Sequence, residues 1–554
     1  MRQHRACWCR KCVTSVDTRS AVITESGERC RTDGRTRERR TPDVHPAPTR
    51  TRACALALLA CLLTACGTGA APSTGAVVPD GAVTIALQFA PRSGLAIDTD
   101  DAFLLTQLGA VETLVSVDAE RRPQPGLATG WTQTDPTTWR FALRPGVVFH
   151  DGSPLTADAV VGALTHVAGG AAPPRAIAGT GLTAEADGDA VLVRTADPDP
   201  ILPLRLSAPG TAVLAPSAYT GDGPPSVVGT GTGLLQITGA DAAQGIELTR
   251  FDGYWGERAQ VSAVSARFLP DPTARALAFR AGDVDVVVGL PEPAVLELRA
   301  SPDVQVQTVP TPRTASLYLN QSAPPFDDVR VRRAVALAVD RTALAEQALA
   351  GSALPASEVF GPAVPWGAPG PAPAADPAAA AALLAEAGHG PGNPLTVRLW
   401  TYPNRPELPT LATAVQAMLA GAGITADIRL GEYAAQEPEV LAGRYDMMLL
   451  SRNLLTDLPD AAGVLTSDYG CAGTYNLNRS CSPALDALVA GLVDVPDAAA
   501  RQDVFARAAQ LLEAEAVGVP LVHTVDSSAT RGVTGFVPDP ANRVLVTAEL
   551  ARTG

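Results

Sequence analysis

The spacing of hydrophobic positions along the chain predicts a mixed α/β fold. Residues 83–87 are apolar except for Thr84, and residues 139–143 alternate with period two; both patterns are typical of β-strands. The second run ends at Pro145-Gly146, a dipeptide that favours a turn. Residues 156–164 begin with Thr156, a residue type that caps helices, and continue with helical spacing. We therefore expect strands and helices to alternate from this region onwards.

The same patterns predict further elements along the rest of the chain. Helices are expected at 274–281, 329–349 and 376–388. Strands are expected at 284–288, 395–400 and 445–450. The helix at 376–388 begins with Asp-Pro and ends at a glycine, which is the usual asymmetry of helix ends. The stretch 362–373, rich in Pro, Gly and Ala, is interpreted as a loop between elements.

Composition and charge narrow the class of protein. The 554 residues are 46% hydrophobic, which is enough for a large core and excludes a disordered chain. Residues 1–65 hold 13 Lys and Arg against 6 Asp and Glu, a balance of +7; the remainder holds 30 against 51, a balance of −21. A protein body with this much negative charge repels the phosphate backbone of nucleic acids. We therefore expect no nucleic-acid partner. A single apolar stretch near the amino terminus excludes a multi-span transporter.

That apolar stretch is typical of a signal peptide. Arg50 and Arg52 precede the apolar residues 53–63, which are too few to span a bilayer permanently. The sequence Leu63-Thr64-Ala65-Cys66 resembles a bacterial lipobox, at which a prolipoprotein is cleaved and its new terminal cysteine is lipidated. The alternative is a buried core helix, against which the flanking arginines argue. We expect residues 1–66 to be an over-extended start plus a lipoprotein signal peptide, and residues 67–80 to be a flexible tether.

Several short motifs follow one another through the body of the chain. They lie at 112–115, 124–131, 139–160, 229–231, 252–256, 319–322, 326–334 and 385–388. Their sequences, order and spacing resemble those of the family 5 extracellular solute-binding proteins, the dipeptide, oligopeptide and nickel binding proteins of ABC importers. One departure is Gly229-Thr230-Gly231-Thr232-Gly233, where the family usually has Gly-Thr-Gly-Pro-Tyr. The resemblance covers residues 82–540.

The resemblance implies a two-lobed periplasmic-binding-protein fold of α/β class, the cluster C type with an extra subdomain in lobe one. Lobe one is expected at 81–311, with its subdomain at about 116–228. Lobe two is expected at 312–523, and residues 524–554 would return to lobe one. Such lobes close on a solute like a hinged trap.

The ligand is expected between the lobes, against loops that follow strands. The residues expected to bind it are Arg92, Ser93, Tyr402, Arg405, Arg452, Asn453 and Asp457. The guanidinium groups of Arg405 and Arg452 suit a carboxylate, and Asp457 suits an ammonium group. Tyr402 offers an aromatic wall and a hydroxyl. For each of these residues the alternative is an exposed loop position without a ligand.

The body of the chain contains two cysteines after Cys66, namely Cys471 and Cys481. In peptide-binding relatives a disulfide lies in the corresponding region, so the resemblance implies a disulfide between them. Free thiols or a metal-binding pair remain as alternatives. The six histidines show no pair at metal-ligand spacing, and no motif of a nucleophilic enzyme is visible. We therefore expect no enzymatic activity, no cofactor and no metal site.

The sequence is interpreted as a lipid-anchored substrate-binding component of an ABC transporter, anchored to the outer face of the bacterial cell membrane through Cys66. It would be a monomer that captures a peptide or a nickel or metallophore-type solute by cleft closure and delivers it to permease subunits. A secreted hydrolase on a two-lobed scaffold and a ligand-sensing signalling lipoprotein are the alternatives.

Overall fold

The structure, a computed structural model, describes residues 75–554 except 222, 242–244, 369, 404, 406, 456–457 and 542. The predicted signal peptide with Cys66, and the candidate ligand residue Asp457, therefore lie outside the described residues. Within the described span no helix is both long enough and apolar enough to cross a membrane.

The strands, in chain order, are β1 Ala82–Leu87, β2 Val115–Val117, β3 Pro123–Pro125, β4 Ala128–Asp135, β5 Thr138–Leu143, β6 Thr183–Asp187, β7 Ala190–Arg194, β8 Leu235–Asp241, β9 Gly245–Arg250, β10 Ala263–Phe268, β11 Val286–Val287, β12 Val304–Leu319, β13 Ala353–Pro355, β14 Leu395–Thr401, β15 Ile424–Leu430, β16 Met447–Asn453, β17 Gly518–Arg531, β18 Val533–Thr534 and β19 Ala551–Arg552.

The α-helices are α1 Ala102–Gln107, α2 Ala157–Gly169, α3 Leu202–Arg205, α4 Pro272–Ala281, α5 Glu292–Leu298, α6 Val329–Ala338, α7 Arg341–Ala343, α8 Pro377–Glu386, α9 Glu407–Gly421, α10 Tyr433–Leu441, α11 Ala462–Val464, α12 Pro483–Ala490 and α13 Ala498–Ala514. Short 3-10 turns lie at Pro209–Thr211, Pro216–Tyr219 and Gly491–Asp494, and π-turns at Leu344–Ala348 and Leu465–Tyr469.

Most predicted elements are confirmed, because their ends are fixed by local contacts. Helix α2 begins where expected, and the Thr156 hydroxyl accepts the Ala159 N–H at 3.2 Å. Helix α8 begins after Asp376, whose carboxylate accepts the Ala379 N–H at 2.8 Å. Each side chain satisfies a backbone donor that the first helical turn leaves without a partner.

The single helix predicted at 329–349 is wrong. Helix α6 ends at Ala338, and Val339 takes an extended conformation with φ −101° and ψ 118°. The carboxylate of Asp340 then accepts the Ala343 N–H at 2.9 Å, which caps a new short helix. An aspartate inside a helical pattern thus starts a second segment. The strand predicted at 284–288 is shortened to two residues in β11.

One mixed sheet runs through the body of the protein, in the order β15-β14-β16-β12-β17-β11-β1-β10-β9-β8, with β13 paired to β17. Strands β14, β15 and β16 are parallel on one side, and β11, β1 and β10 are parallel on the other. The two sides are joined by β12 and β17, which pair antiparallel along nearly their whole length. The two sides of the sheet are therefore connected through the two long strands β12 and β17, which we call the crossing strands.

Each side of the sheet has its own hydrophobic core. The β14–β16 side packs around buried residues such as Leu317, Leu399 and Leu449. The β1–β10 side packs around Ile85 and Val264, with residues 533–550 from the carboxyl end. A separate four-stranded sheet, in the order β4-β5-β7-β6, packs against α2 with a third core of its own. The apolar contacts are thus gathered into distinct bodies rather than one continuous core.

A buried carboxylate explains part of the motif pattern. Glu112 accepts the Tyr254 hydroxyl and the indole N–H of Trp255, both at 3.0 Å, and Arg144 stacks over the Trp255 ring at 4.0 Å. Burial raises the pKa of Glu112, although these hydrogen bonds oppose the shift. The motifs at 112–115 and 252–256 are therefore in contact in the folded protein. Through Arg144, which follows β5, this contact joins the four-stranded sheet to the main sheet.

Candidate functional site: a cleft at the crossing strands

A candidate binding site lies where β12 and β17 pass between the two sides of the sheet. It is a cleft of about 670 Å³, which is within the range of small-molecule sites. Its floor includes residues 311–313 of β12 and 524–526 of β17. The hydroxyls of Thr311 and Thr524 hydrogen bond to each other at 2.6 Å across these strands.

Both sides of the sheet supply walls to this cleft. Gln88 and Phe89, directly after β1, and residues 290–292 lie on one wall. Arg405 and Asn453, which follow or end strands of the other side, lie on the opposite wall. The site is thus built by loops at strand ends from two bodies, the arrangement that open α/β sheets commonly use for ligands.

Two arginines give the cleft a positively charged region. Arg313 donates from its guanidinium to the Ser451 carbonyl at 3.0 Å. Burial, together with the neighbouring charge of Arg405, lowers the pKa of Arg313 to about 10, so Arg313 remains charged at neutral pH. The half-buried Arg405 has no side-chain hydrogen bond or ion pair to any residue that the structure describes. Its guanidinium fork is therefore available to an anion.

Acidic and aromatic groups complete the lining. Asp100, Glu292 and Glu407 contribute carboxylates, of which Asp100 is paired with Arg175 at 3.0 Å. Phe89 is 58% exposed, although it is a large apolar side chain, and it faces the cleft. An exposed aromatic ring beside charges of both signs suits a small ligand with an apolar part and more than one charged group.

The structure brings only some of the predicted ligand residues to this cleft. Arg405 and Asn453 line it, as described above. Tyr402 is 7% exposed and packs in the core behind the cleft, with its ring 5.1 Å from that of Tyr433. Its hydroxyl accepts the Ser451 N–H at 3.5 Å. Tyr402 therefore does not line this cleft, where the exposed ring is that of Phe89, and a ligand role for Tyr402 stays a prediction.

Arg92 and Ser93 lie in an exposed loop and are absent from the cleft lining. Their backbone N–H groups donate to the buried carboxylate of Asp101 at 2.9 and 2.7 Å, and the Leu95 N–H donates to it at 3.1 Å. The loop is thus held by Asp101, and its polar backbone is already used. A ligand role for Arg92 and Ser93 stays a prediction without support from this geometry.

Arg452 lies beside the cleft in a neighbouring cavity of about 450 Å³, which shares Arg175, Asn453 and Leu455 with the cleft. Its guanidinium donates twice to Asp468, at 2.6 and 3.0 Å. The guanidinium of Arg452 is therefore already bound to a protein carboxylate, whereas that of Arg405 has no such partner among the described residues.

The structure joins Cys471 and Cys481 by a disulfide. The loop between them carries Tyr475, whose ring lies 4.5 Å from the Arg452 guanidinium. It also carries Asn478, whose side-chain oxygen accepts the Leu319 N–H at 3.0 Å. The disulfide loop thus supports β12 and the position of Arg452.

Phe89 and Arg313 are among the lining residues that the sequence did not lead us to predict. Phe89 directly follows β1, so the rule that ligands lie after strands was sufficient to find it. Arg313 lies inside β12, between Pro312 and residues 314–319, all of which are buried. A charged residue next to a stretch with apolar residues of β-propensity was the available signal.

Comparisons with known proteins define the class of this protein. The sequence pattern of the bacterial extracellular solute-binding proteins, family 5 Middle, matches residues 122–476. The chain therefore belongs to this family. Its members are substrate-binding components of ABC transporters, which confirms the predicted class and gives no support to the hydrolase alternative.

Individual relatives agree with this assignment. The chain is 28% identical over 460 residues to the probable di/tripeptide-binding protein 5 of Pseudomonas aeruginosa (strain UCBPP-PA14). The match covers 76% of this chain and 85% of the relative. It is 30% identical over 307 residues to the nickel-binding periplasmic protein of Escherichia coli (strain K12), covering 51% of this chain and 57% of the relative.

Solved structures share the fold. The nickel ABC transporter protein from Bacillus halodurans superposes with a TM-score of 0.75 at 25% identity, over 85% of this chain and 100% of that one. The periplasmic murein tripeptide-binding protein MppA, in its unliganded open form, gives a TM-score of 0.75 at 20% identity, over 87% and 99%. The two-lobed periplasmic-binding-protein fold is thereby confirmed.

Proposed function

We propose that this solute-binding protein captures a small carboxylate-bearing solute, a peptide or a metal chelate, in the cleft at β12 and β17 and delivers it to the permease subunits of an ABC transporter. The observation that carries the proposal is the pair Arg313 and Arg405. Both guanidinium groups line the cleft, and that of Arg405 lacks a described protein partner. An anion that neutralises both would gain charge-assisted hydrogen bonds.

The remaining lining favours a solute that also carries positive charge. Glu292 and Glu407 add carboxylates to the same cleft, so a purely anionic ligand would meet repulsion on part of its surface. A peptide has an ammonium and a carboxylate, and a chelate combines a cation with carboxylates. Both solute classes fit this charge pattern, and the printed names of the relatives include a peptide and a nickel binder.

The proposed lobes meet at the crossing strands. Lobe one would comprise residues 81–311, with a subdomain at about 116–228, and residues 524–554; lobe two would comprise 312–523. These boundaries fall within the cleft floor, so rotation at residues 311–313 and 524–526 would open the cleft. The Gln502 side chain of α13 donates to the Glu120 carbonyl at 2.9 Å, a contact between the proposed subdomain and lobe two that opening would break.

The test first identifies the solute and then measures closure of the cleft. Native mass spectrometry of protein purified from its natural source is expected to show an intact co-purified peptide or chelate. After the solute is removed, small-angle scattering is expected to show an expanded particle that compacts when the solute is returned. Turnover of the bound molecule, or a particle whose size never changes with any peptide or chelate tested, would overturn the proposal.

We also propose that the protein is a monomer held on the outer face of the cell membrane through lipidated Cys66. The support is the lipobox-like sequence at 63–66 and the extracellular character of the family. Mass spectrometry of protein from the membrane fraction is expected to find an amino-terminal cysteine carrying acyl chains. The Cys66→Ala variant should lose this modification, and an unmodified wild-type protein in the soluble fraction would contradict the anchor.

A further inference from the structure

A second cavity lies within the β14–β16 side of the sheet, away from the cleft. It has a volume of about 290 Å³, near the lower end of the range for small-molecule sites, and shares no lining residue with the cleft. Its lining on β12 is residues 316–318, whereas the cleft uses residues 311–313 of the same strand. The cavity is therefore a separate compartment along β12.

The walls of this cavity are mainly apolar. Helices α6, α8 and α13 contribute Leu337, Leu383 and Leu512, and strands β12 and β17 contribute Leu317 and Val519. A ligand that fills this space would therefore need a compact apolar body, which gains free energy on leaving water.

One polar group in the cavity is short of partners. The Glu358 side chain is 6% exposed, and one of its carboxylate oxygens accepts the Ala368 N–H at 2.9 Å. The other oxygen has no hydrogen bond from any residue in the described part of the chain. Burial raises the pKa of Glu358, and the nearby charge of Glu513, which also lines the cavity, raises it further. One oxygen of this buried carboxylate therefore lacks a donor, and the group lies near another acid.

The two arginines of the lining each donate to backbone carbonyls. Arg341 donates to the carbonyls of Pro520 at 2.7 Å and Ala336 at 3.3 Å, and Arg333 donates to that of Ala514 at 3.3 Å. Two tyrosines, Tyr318 and Tyr469, also line the cavity, and burial raises the pKa of both phenols, so they stay neutral. Neither arginine has a hydrogen bond or ion pair with Glu358 or Glu513 in the described part of the chain, so the second carboxylate oxygen of Glu358 is open to a donor from a ligand.

We propose that this cavity is a second small-molecule site, which takes a compact apolar molecule carrying a protonated amine, with the ammonium group between Glu358 and Glu513. The ammonium would donate to the carboxylate oxygen of Glu358 that lacks a partner, and the apolar body would lie against the leucines of α6, α8 and α13. The site is independent of the solute cleft and of the proposed transport function.

Three probes of the same shape test the proposal by calorimetry on the full mature protein. They are cyclohexylmethylamine, which is protonated at neutral pH, cyclohexylmethanol and cyclohexanecarboxylate. The amine is expected to bind at least tenfold more tightly than the alcohol, and the carboxylate is expected to bind least. Equal affinity for amine and alcohol, or no binding of any probe at millimolar concentration, would overturn the proposal.

Variants then locate the bound amine. Glu358→Gln is expected to weaken amine binding at least tenfold and to leave alcohol binding unchanged, whereas the exposed Glu346→Gln serves as a matched control without effect. Ala336→Leu, at a half-buried lining position, should fill the cavity and abolish binding of both probes. Thermal unfolding verifies that each variant is folded. If the cleft variant Arg405→Ala loses amine binding while Ala336→Leu retains it, the probe lies in the cleft and the proposal fails.

Discussion

Arg452 binds the carboxylate of Asp468 through two parallel hydrogen bonds, with Nε 2.6 Å from Oδ2 and Nη2 3.0 Å from Oδ1. The Asp468 side chain is completely buried, whereas that of Arg452 is 32% exposed. The Ser467 hydroxyl also donates to Asp468, and the Tyr475 ring packs against the Arg452 guanidinium. The arginine therefore compensates a charge that has no access to water.

We expect Arg452→Met to lower the free energy of unfolding by about 3 kcal/mol, because it leaves the Asp468 carboxylate buried and without its cation. The affinity of the cleft for its solute should change less than threefold. Chemical denaturation and calorimetry measure the two effects. The double variant Arg452→Met/Asp468→Leu should regain most of the lost stability. A large loss of affinity with unchanged stability would instead make Arg452 a ligand residue.

Arg405 is expected to behave in the opposite way. Arg405→Ala should weaken binding of a carboxylate-bearing solute roughly tenfold to a hundredfold, the usual effect of losing a hydrogen bond between charged groups. Its stability should stay unchanged, because the side chain has no described protein partner. Arg429→Ala is the matched control, since Arg429 is exposed on β15 and paired with Asp427 at 2.5 Å. Equal affinities of the two variants would contradict the role of Arg405.

His523 lies on β17 and contacts β12, and we expect it to make the stability of the protein depend on pH. The Thr314 hydroxyl donates to the Val359 carbonyl at 2.8 Å, so the Nδ1–H of His523 donates to the Thr314 oxygen at 2.9 Å. Its Nε2 is buried without a partner among the described residues. Burial lowers the pKa of His523 to about 4, because a second proton on Nε2 would place a charge in an apolar region.

Stability should therefore fall as the pH decreases from about 6.5 towards 4, since the unfolded chain binds this proton more readily than the folded one. The full effect of His523 is about 3 kcal/mol. His523→Asn retains a donor towards Thr314 and cannot titrate. Urea denaturation at pH 7 and pH 4.5 is expected to show a smaller loss of stability for the variant than for the wild-type protein. An equal loss in both would exclude His523 as a source of the pH dependence.

The disulfide between Cys471 and Cys481 should contribute measurably to stability. Replacing both cysteines by serine is expected to lower the free energy of unfolding by about 2–3 kcal/mol, because the crosslink restricts a short loop in the unfolded chain. Adding a reductant to the wild-type protein should produce the same loss, and it should leave the double-serine variant unchanged. Two free thiols in the native, unreduced protein would show that the bond is absent.

Local chemistry explains why much of the fold was predictable. The strands at β1 and β5 and the starts of α2 and α8 depend on neighbouring residues, such as the capping side chains of Thr156 and Asp376. The helix predicted across Val339 was wrong because Asp340 caps a second segment there. An aspartate in a helical pattern is compatible with both outcomes, and packing decides between them.

The candidate site was predictable in position but only partly in its residues. Arg405 and Asn453 follow or end strands and do line the cleft, whereas Tyr402 occupies a similar position and is buried behind it. Order along the chain brought the loops after β14 and β16 to the cleft, although the loop with Arg92 and Ser93 does not line it. It does not identify which side chains of a loop turn inwards, because that depends on partners such as Tyr433, which lies 31 residues further along the chain.

The sequence by itself determined the family, the two-lobed fold and the distribution of charge, because motifs, helix caps and composition are properties of neighbouring residues. Only the tertiary structure decided which of two similar arginines is available to a solute. Arg405 has no described partner, whereas Arg452 meets Asp468, a residue 16 positions away that folding buries completely. Burial of the Asp468 carboxylate costs free energy unless Arg452 stays beside it. This cost of burial arises only in the folded protein.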